Sequence, residues 1–305
     1  MITVQNDSPD TASVRTLYSE TIPGLFVEEV LRRVHFSMQG GHFHESIELY
    51  FLLDGARYYF VEQETFLLRP RTAILIRPGL IHQTSMPGDV PEHHRLLLQY
   101  EKEPYDRVLR DLGYEGFEAF AGQYGTAVTF DEAEWDEILR LLSQLKTVIG
   151  SHSSHKNATA HLLSLALLVH FAQRVDEAGR SNWKSVPDSP LAAEKDSIYS
   201  RVDAIAQYLQ QNSSSQIRLD ELAERFYLSK AYMTRIFRRV TGFSIIDYLT
   251  FVRVRRAQEL LTHSDTDITS ISDMTGFGNV TYFERVFRQK TALTPLQYRR
   301  RYRKM

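Results

Sequence analysis

The stretch LDELAERFYLSKAYMTRIFRRVTGFSIIDYL (residues 219–249) carries the strongest structural signal in this chain of 305 residues. A second stretch, ITSISDMTGFGNVTYFERVFRQKTALTPLQYR (residues 268–299), repeats its pattern fifty positions later, so that Arg235 corresponds to Arg285. Each copy begins with a short amphipathic segment, passes through a tight turn and enters a second helix rich in arginine. The repeat predicts two helix-turn-helix units, an arrangement typical of proteins that bind DNA.

The second helix of the first copy has a clear inner face. Four apolar residues recur at positions i, i+3, i+4 and i+7 and are expected in the core: Met233, Ile236, Phe237 and Val240. Ser229 is suited to cap the start of this helix, and Gly242 is suited to end it in a left-handed conformation. The opposite face is then free to enter the major groove of a duplex.

The second copy follows the same scheme. Asp267 and Asn279 are suited to cap its two helices, and the segment 276–278 (Gly-Phe-Gly) is suited to form the turn. The residues that we assign to DNA contact, taking both copies together, are Lys230, Ala231, Thr234, Arg235, Arg238, Asn279, Val280, Thr281, Glu284, Arg285, Arg288 and Lys290. Arg235 is suited to bidentate binding of a guanine, whereas Arg288 and Lys290 are suited to phosphate contacts.

The segment between the copies and the distribution of charge support this interpretation. Residues 245–261 form one amphipathic pattern, which predicts a rigid spacer that lets one monomer reach successive major grooves roughly 34 Å apart. Residues 198–305 contain 18 of the 36 Lys and Arg residues but only 10 of the 38 Asp and Glu residues. The C-terminal part is therefore basic and the rest acidic, as expected if only one domain meets phosphates.

The N-terminal part has a different pattern. Short apolar and β-branched segments separated by turn residues predict a β-sandwich or small barrel over residues 25–101, with strands at 47–53, 57–61, 65–68, 73–76 and 95–100. Helical spacing of apolar residues predicts helices at 134–148 and 161–175. The predicted fold class is multi-domain α+β. Its predicted domains are a barrel (1–130), a helical packing or dimerisation layer (131–178), a linker (179–197) and an all-α domain (198–305).

The two quoted stretches resemble the DNA-binding domain of the AraC/XylS family of bacterial transcription regulators, and the resemblance covers residues 198–305. It implies a regulator, more often an activator, whose base contacts come from the outer faces of the two repeated helices. Three positions depart from the family pattern. Arg218 replaces a Thr or Ser cap, Ser272 replaces an Ala at a tight helix crossing, and Ala292 replaces a Gly after the second recognition helix.

A second resemblance concerns the predicted barrel. The segment 40–55, with His-x-His followed by Glu and Gly, is similar to the first cupin motif, and the segment 78–82 (Pro-Gly-x-x-His) is similar to the second. The resemblance implies four metal-binding positions, His42, His44, Glu48 and His82, which suit a divalent transition metal. Regulators with this barrel commonly keep such residues as the lining of an effector pocket. We therefore expect no cofactor and assign the four residues, with Tyr50 and Tyr58, to an effector such as a sugar.

Composition sets the remaining expectations. Cysteine is absent, which excludes disulfides and thiolate sites and fits the cytoplasm. The segment 1–10 lacks the apolar stretch of a signal peptide, and the longest apolar run, 162–171, is too short to span a membrane. We expect a cytoplasmic, non-enzymatic homodimer that binds double-stranded DNA and a small effector, with RNA polymerase open as a further partner. The alternative is a metal-dependent cupin enzyme fused to a DNA-binding domain.

Overall fold

A computed structural model describes residues 14–33, 44–85, 92–179 and 198–303. The chain separates into two compact units, Met1–Ala193 and Glu194–Met305. His42 and the predicted linker between 180 and 197 lie outside the described residues. Among the described helices, none is both long enough and apolar enough to cross a bilayer.

The first unit contains two antiparallel sheets. Its strands are β1 (Val14–Ile22), β2 (Leu25–Arg32), β3 (Ile47–Gly55), β4 (Arg57–Val61), β5 (Glu64–Leu68), β6 (Thr72–Ile76), β7 (His82–Ser85), β8 (His93–Tyr100) and β9 (Ala127–Thr129). The larger sheet has the order β1-β2-β8-β3-β6-β9, and the smaller has the order β5-β4-β7. The predicted β-rich N-terminal fold is confirmed.

The two faces of the larger sheet have different roles, because alternate residues of a strand point to opposite sides. One face carries residues such as Leu49, Phe51 and Leu98, which belong to a core shared with the helices of this unit. The other face carries Tyr50, Leu52 and Leu97, which form a second core with residues of the smaller sheet. We call the space between the two sheets the barrel interior. It holds the candidate effector residues described below.

The described residues of this unit also form four helices: α1 (Lys102–Asp111), α2 (Phe117–Tyr124), α3 (Glu132–Ile149) and α4 (Lys156–Ala178). The helix α3 starts at a capping box, in which the Asp131 side chain accepts from the Glu134 amide and the Glu134 side chain accepts from the Asp131 amide. Buried side chains of α3 and α4, including Leu145 and Leu168, belong to the core on the outer face of the larger sheet. The two predicted helices are confirmed, and both are longer than predicted.

Several elements were not predicted individually: β1, β2, β7, β9, α1 and α2. The strand β1 is exposed along most of its length, so it lacks the regular apolar alternation on which strand prediction depends. The strand predicted at 95–100 starts two residues earlier, so that His93 and His94 are the first residues of β8. His93 is almost completely buried, and this proves important for the chemistry of the barrel interior.

The second unit contains only helices among its described residues. They are α5 (Ser200–Gln211), α6 (Leu219–Arg225), α7 (Lys230–Thr241), α8 (Ile245–His263), α9 (Ile268–Met274), α10 (Val280–Thr291) and α11 (Pro295–Tyr302). The sequence pattern predicts helices at 198–211, 219–226, 230–240, 245–261, 268–275, 280–290 and 295–303. All seven are present, and no end differs from its prediction by more than two residues. The prediction succeeded here because the apolar period, the caps and the turn residues are all local signals.

Candidate functional site

The two repeated helices, α7 and α10, start in the same way. The Ser229 hydroxyl accepts from the Tyr232 amide at 3.3 Å, and the Asn279 side-chain oxygen accepts from the Tyr282 amide at 2.8 Å. Asp267 caps α9 by accepting from the Ser270 amide. These three predicted caps are confirmed. Arg218, which replaces the Thr or Ser cap of the family pattern, makes no side-chain cap hydrogen bond at the start of α6.

The ends of α7 and α10 also match. Gly242 has φ of 75°, and Ala292 has φ of 60°, so both residues following the helices are left-handed. The Thr241 hydroxyl donates to the Phe237 carbonyl at 2.8 Å, and its counterpart Thr291 donates to the Phe287 carbonyl at the same distance. Ala292 therefore keeps the backbone turn of the first copy although its Cβ disfavours that conformation.

The inner and outer faces of these helices are as predicted. Met233, Phe237 and their counterparts Phe283 and Phe287 are completely buried. Nine of the twelve assigned DNA-contact residues are exposed: Lys230, Ala231, Arg235, Arg238, Asn279, Thr281, Glu284, Arg285 and Arg288. Thr234, Val280 and Lys290 are partly buried. The structure therefore places all twelve within reach of solvent.

Besides the cap at Asn279, the side chains of Lys230 and Thr234 have polar partners within the protein. Lys230 Nζ lies 3.0 Å from Asp220 Oδ1, at the start of the preceding helix α6. The Thr234 hydroxyl donates to the Lys230 carbonyl at 2.9 Å, in its own helix. Both interactions are exposed and weak, so they would exchange readily for contacts with DNA.

A tyrosine supports the same arginine in each copy, a feature that the sequence prediction missed. The Arg235 guanidinium lies 5.4 Å from the centre of the Tyr232 ring, and that of Arg285 lies 5.3 Å from the centre of the Tyr282 ring. A cation over an aromatic face is attracted by the ring. This contact limits the conformations of each arginine on the outer face. The Tyr-x-x-Arg spacing common to both copies was the available signal.

The long helix α8 connects the copies physically. In its first half, Tyr248 packs edge-on against Phe237 of the first copy, with ring centres 5.3 Å apart. In its second half, Val254, Ala257 and Leu261 share a core with residues of the second copy, including Phe283 and Phe287. Both copies therefore pack on one helix, as the spacer prediction requires.

The barrel interior contains a polar cluster at one end, formed by His44, Glu48 and His82 from different strands and loops. His44 Nε2 lies 2.9 Å from Glu48 Oε2, and His82 Nε2 lies 3.6 Å from the same oxygen. The Tyr59 hydroxyl donates to Glu48 Oε1 at 2.5 Å, and Gln99 Nε2 lies 3.5 Å from Oε2. Tyr59 and Gln99 are residues that the sequence prediction did not assign to this site.

The charge state of the cluster follows from these contacts. Burial by itself would raise the pKa of Glu48, but the neighbouring His82 and His44 hold that pKa well below its usual range. Burial likewise works against a charged His44, yet its hydrogen bond and its attraction to Glu48 raise the pKa of His44 above the ordinary value. His44 also donates through Nδ1 to the Ser46 carbonyl at 3.0 Å. The cluster is therefore built around a buried carboxylate.

The same residues fit a divalent metal ion. The three candidate ligand atoms, one each from His44, Glu48 and His82, lie within 4.8 Å of one another. In both histidines Nδ1 bonds to a backbone carbonyl, of Ser46 and of Leu80, which directs Nε2 toward Glu48. Such outer contacts are typical of metal-binding histidines. Three ligands of this type would leave an open position on zinc or a similar ion.

The two predicted effector tyrosines lie on different faces. Tyr50 points into the barrel interior, where its ring centre lies 5.1 Å from that of Tyr59. Tyr58 neighbours Tyr59 on β4, so its side chain points to the opposite face of the small sheet. The assignment of Tyr58 to the pocket therefore needs correction, and Tyr59 takes its place.

Comparison with known proteins identifies the two units. The AraC-like ligand binding domain matches residues 27–182, and a helix-turn-helix domain matches residues 222–301. The chain is 28% identical over 172 residues to the regulatory protein PocR of Salmonella typhimurium (54% of this chain and 55% of PocR). It is 31% identical over 184 residues to the transcriptional activator RhaR of Escherichia coli (60% of each).

A third relative combines regulation with catalysis. The chain is 29% identical over 124 residues to AdaA of Bacillus subtilis, a bifunctional transcriptional activator and DNA repair enzyme (41% of this chain and 59% of AdaA). The chain thus spans between half and two thirds of the length of these relatives. The ligand-binding domain match alone covers half of the sequence, and the chain belongs to the AraC family of transcription regulators.

Proposed function

We propose that this protein is a cytoplasmic transcription regulator that binds a specific double-stranded DNA site through α7 and α10 and responds to a small molecule bound in the barrel interior. The observation that carries the proposal is the pair of matched helices on α8. Each presents an exposed arginine, Arg235 or Arg285, supported by a tyrosine at the same distance. Two such helices held by one spacer suit two successive major grooves.

The individual contacts have distinct proposed roles. Arg235 and Arg285 bind base edges, since each projects from the exposed half of a helix whose other half is buried. Arg238 and Arg288, one turn further along, bind phosphates and set the position of the helix. The RhaR and AdaA relatives are activators, which favours activation by this protein as well. An activator of this kind would contact RNA polymerase at its promoter.

The DNA-binding proposal is tested by selecting a binding site from a random duplex library with the full chain and then comparing variants on that site. We expect Arg235→Ala or Arg285→Ala to weaken binding by about 1–3 kcal/mol, roughly 5- to 150-fold, and to relax base preference at one or two positions. Arg288→Ala should weaken binding to all sequences and reduce the salt dependence. Arg201→Ala, an exposed arginine of α5, is the matched control.

The proposal fails if no sequence is enriched, or if Arg235→Ala and Arg285→Ala bind the selected site as the wild type does. Loss of affinity in the Arg201→Ala control to the same degree would show a general charge effect and would remove the base-reading role from Arg235 and Arg285.

The proposed effector is a small polyhydroxylated metabolite such as a sugar. Tyr50 and Tyr59 supply aromatic surface, and Glu48 with Gln99 supplies hydrogen-bonding groups within the same interior. Ligand sites commonly combine apolar lining with a few convergent polar groups. A dimer is proposed through α3 and α4, because Leu139 and Leu162 are exposed large apolar side chains on these helices.

The His44–Glu48–His82 cluster favours a second candidate function, a metal-dependent cupin enzyme joined to a DNA-binding domain. A bound divalent ion would act there as a Lewis acid and activate water. Metal analysis of the purified protein separates the two candidates. Bound metal that is lost in His82→Ala, together with turnover of a metabolite, would favour the enzyme. Metal-free protein that binds its selected duplex with full affinity would favour the regulator.

A further inference from the structure

The end of the barrel interior opposite Glu48 contains a group of basic side chains. Arg32 ends β2, His93 and Arg95 lie at the start of β8, and Arg57 starts β4. Arg32 is the cross-strand partner of His93, and Arg95 is two residues further along the same face of β8. Arg57 shares the interior face of β4 with Tyr59, two residues away. We call these four residues, together with Tyr50, the arginine cluster.

The arginine cluster is buried at Arg57, His93 and Tyr50 and half-buried at Arg32 and Arg95. Arg57 is completely buried, while His93 and Tyr50 are 2% and 3% exposed. Arg57 Nη2 donates to the Thr84 hydroxyl at 2.8 Å, and Arg95 forms an ion pair with Glu28. The guanidinium groups of Arg32, Arg57 and Arg95 thus lie near one another and concentrate positive charge at this end of the barrel interior. Charges are expensive to bury unless opposite charge is brought to them.

The protonation equilibria show how close these groups lie. Burial, together with the positive charges of Arg95 and Arg57, lowers the pKa of Arg32 to about 10. Burial also lowers the pKa of His93 to about 3, with contributions from Arg57, Arg32 and Arg95. His93 is therefore neutral at physiological pH, and the three arginines repel one another across a common space.

Three buried polar atoms of the cluster, one each from Tyr50, His93 and Arg95, support a binding site. Within the described part of the chain, the Tyr50 hydroxyl, His93 Nδ1 and Arg95 Nη1 are buried and have no hydrogen-bond partner. Buried polar groups of native proteins nearly always have partners, and exceptions often mark a binding site. Tyr50 lies on β3, and His93 and Arg95 lie on the adjacent strand β8.

We propose that the effector is an organic anion whose carboxylate or phosphate group binds to Arg32, Arg57, Arg95 and Tyr50, while its hydroxyl groups reach toward Glu48 at the opposite end. Arginine is the side chain best suited to such groups, because its planar fork of donors matches their oxygen atoms. The inference rests on the proposed effector-binding function and specifies its ligand. A sugar acid and a sugar phosphate share the chemistry that the cluster recognises.

Tryptophan fluorescence gives a specific readout for the unit that contains the cluster. The chain has two tryptophans, Trp135 and Trp183, and Trp135 belongs to the core of the unit Met1–Ala193. Trp183 lies outside the described residues and is replaced in all samples, Trp183→Phe, so that Trp135 alone gives the signal. Thermal unfolding of the full chain is followed with glucose, glucuronate or glucose 6-phosphate, and with inorganic phosphate or sulfate against chloride at equal ionic strength. Phosphate bound to the basic second unit does not enter this signal.

We expect phosphate or sulfate at about 20 mM to raise the unfolding temperature of this unit by about 3–6 °C relative to chloride if the dissociation constant is about 1 mM. Glucuronate and glucose 6-phosphate should each raise the unfolding temperature more than glucose does. Whichever of the two raises it more shows whether the cluster prefers a carboxylate or a phosphate group. In Arg57→Gln the anion effect should disappear. Arg33→Gln, an exposed arginine beside Arg32 that pairs with Glu92, should keep it.

The inference is overturned if chloride matches phosphate and sulfate in the wild type and no organic anion stabilises more than glucose, or if Arg57→Gln keeps the full anion effect. Should Arg57→Gln fail to fold, the half-buried Arg32→Gln serves in its place. Stabilisation by glucose alone would contradict an anionic ligand while leaving the effector function intact. Binding of the full chain to its selected duplex is measured separately and tests the regulator.

Discussion

Replacing Ala292 by glycine should stabilise the second recognition helix. Ala292 has φ of 60° and ψ of 1°, a left-handed conformation that costs an L residue about 1–2 kcal/mol. Glycine adopts it freely but loses about 0.5–1 kcal/mol more chain entropy on folding. Ala292 is exposed, so no packing is lost with its methyl group. We therefore expect Ala292→Gly to raise the free energy of unfolding by about 0.5–1 kcal/mol.

Amide hydrogen exchange followed by mass spectrometry measures this effect within the full chain. Amides of α10 should exchange about two to five times more slowly in Ala292→Gly, and peptides from the first unit should be unchanged. Ala292→Ser keeps the Cβ and should stay close to the wild type. The reverse change in the first copy, Gly242→Ala, should accelerate exchange in α7, because Gly242 has φ of 75°. Unchanged or faster exchange of α10 in Ala292→Gly would refute the argument.

Three further predictions concern single positions. Ser272→Ala should raise the free energy of unfolding, measured by denaturant titration, by about 1 kcal/mol. The reason is that the completely buried Ser272 hydroxyl has no hydrogen-bond partner among the described residues. A lower free energy of unfolding in Ser272→Ala would contradict this. Arg218→Ser should slow amide exchange in α6, because it adds the missing cap, which is worth about 0.5–1 kcal/mol. The exposed ion pair of Arg218 with Glu221, which this change removes, contributes little. Unchanged exchange would show that the missing cap does not limit the stability of α6. The raised pKa of His44 means that its contribution to stability is complete below about pH 6.5 and is lost as pH rises through the folded-state value. With a chelator present, the free energy of unfolding measured by tryptophan fluorescence should therefore fall above that pH by at most about 1.4 kcal/mol per pH unit. If the same pH dependence persists in His44→Gln, a group other than His44 causes it.

The second unit was predictable almost to the residue because its signals are local. The period of Met233 and Phe237, the caps Ser229 and Asn279 and the turn at Gly242 each act within a few residues of their own position. The departures at Arg218, Ser272 and Ala292 were also visible in the sequence, and each has a structural counterpart: a missing cap, a buried hydroxyl and a left-handed alanine.

The barrel interior was predictable only in part. The cupin-like motif identified His44, Glu48 and His82, which the structure brings together. It did not identify Tyr59, because residues 57–60 are all large and buried and give no alternation from which a face can be assigned. A shift of one residue in register exchanges the two faces of a strand, so strand pairing decides between Tyr58 and Tyr59.

The amino-acid sequence alone therefore established the repeat, the seven helices of the second unit and the membership of a regulator family. The arginine cluster depended on tertiary structure. Arg32, Arg57 and Arg95 are separated by 25 residues or more and match no local motif. They meet because β2 pairs with β8 and because β4 lies in the sheet that faces them. The charge of a pocket is the sum of the charges of side chains on strands that are distant in the sequence. Only the pairing of these strands determines which side chains line the pocket.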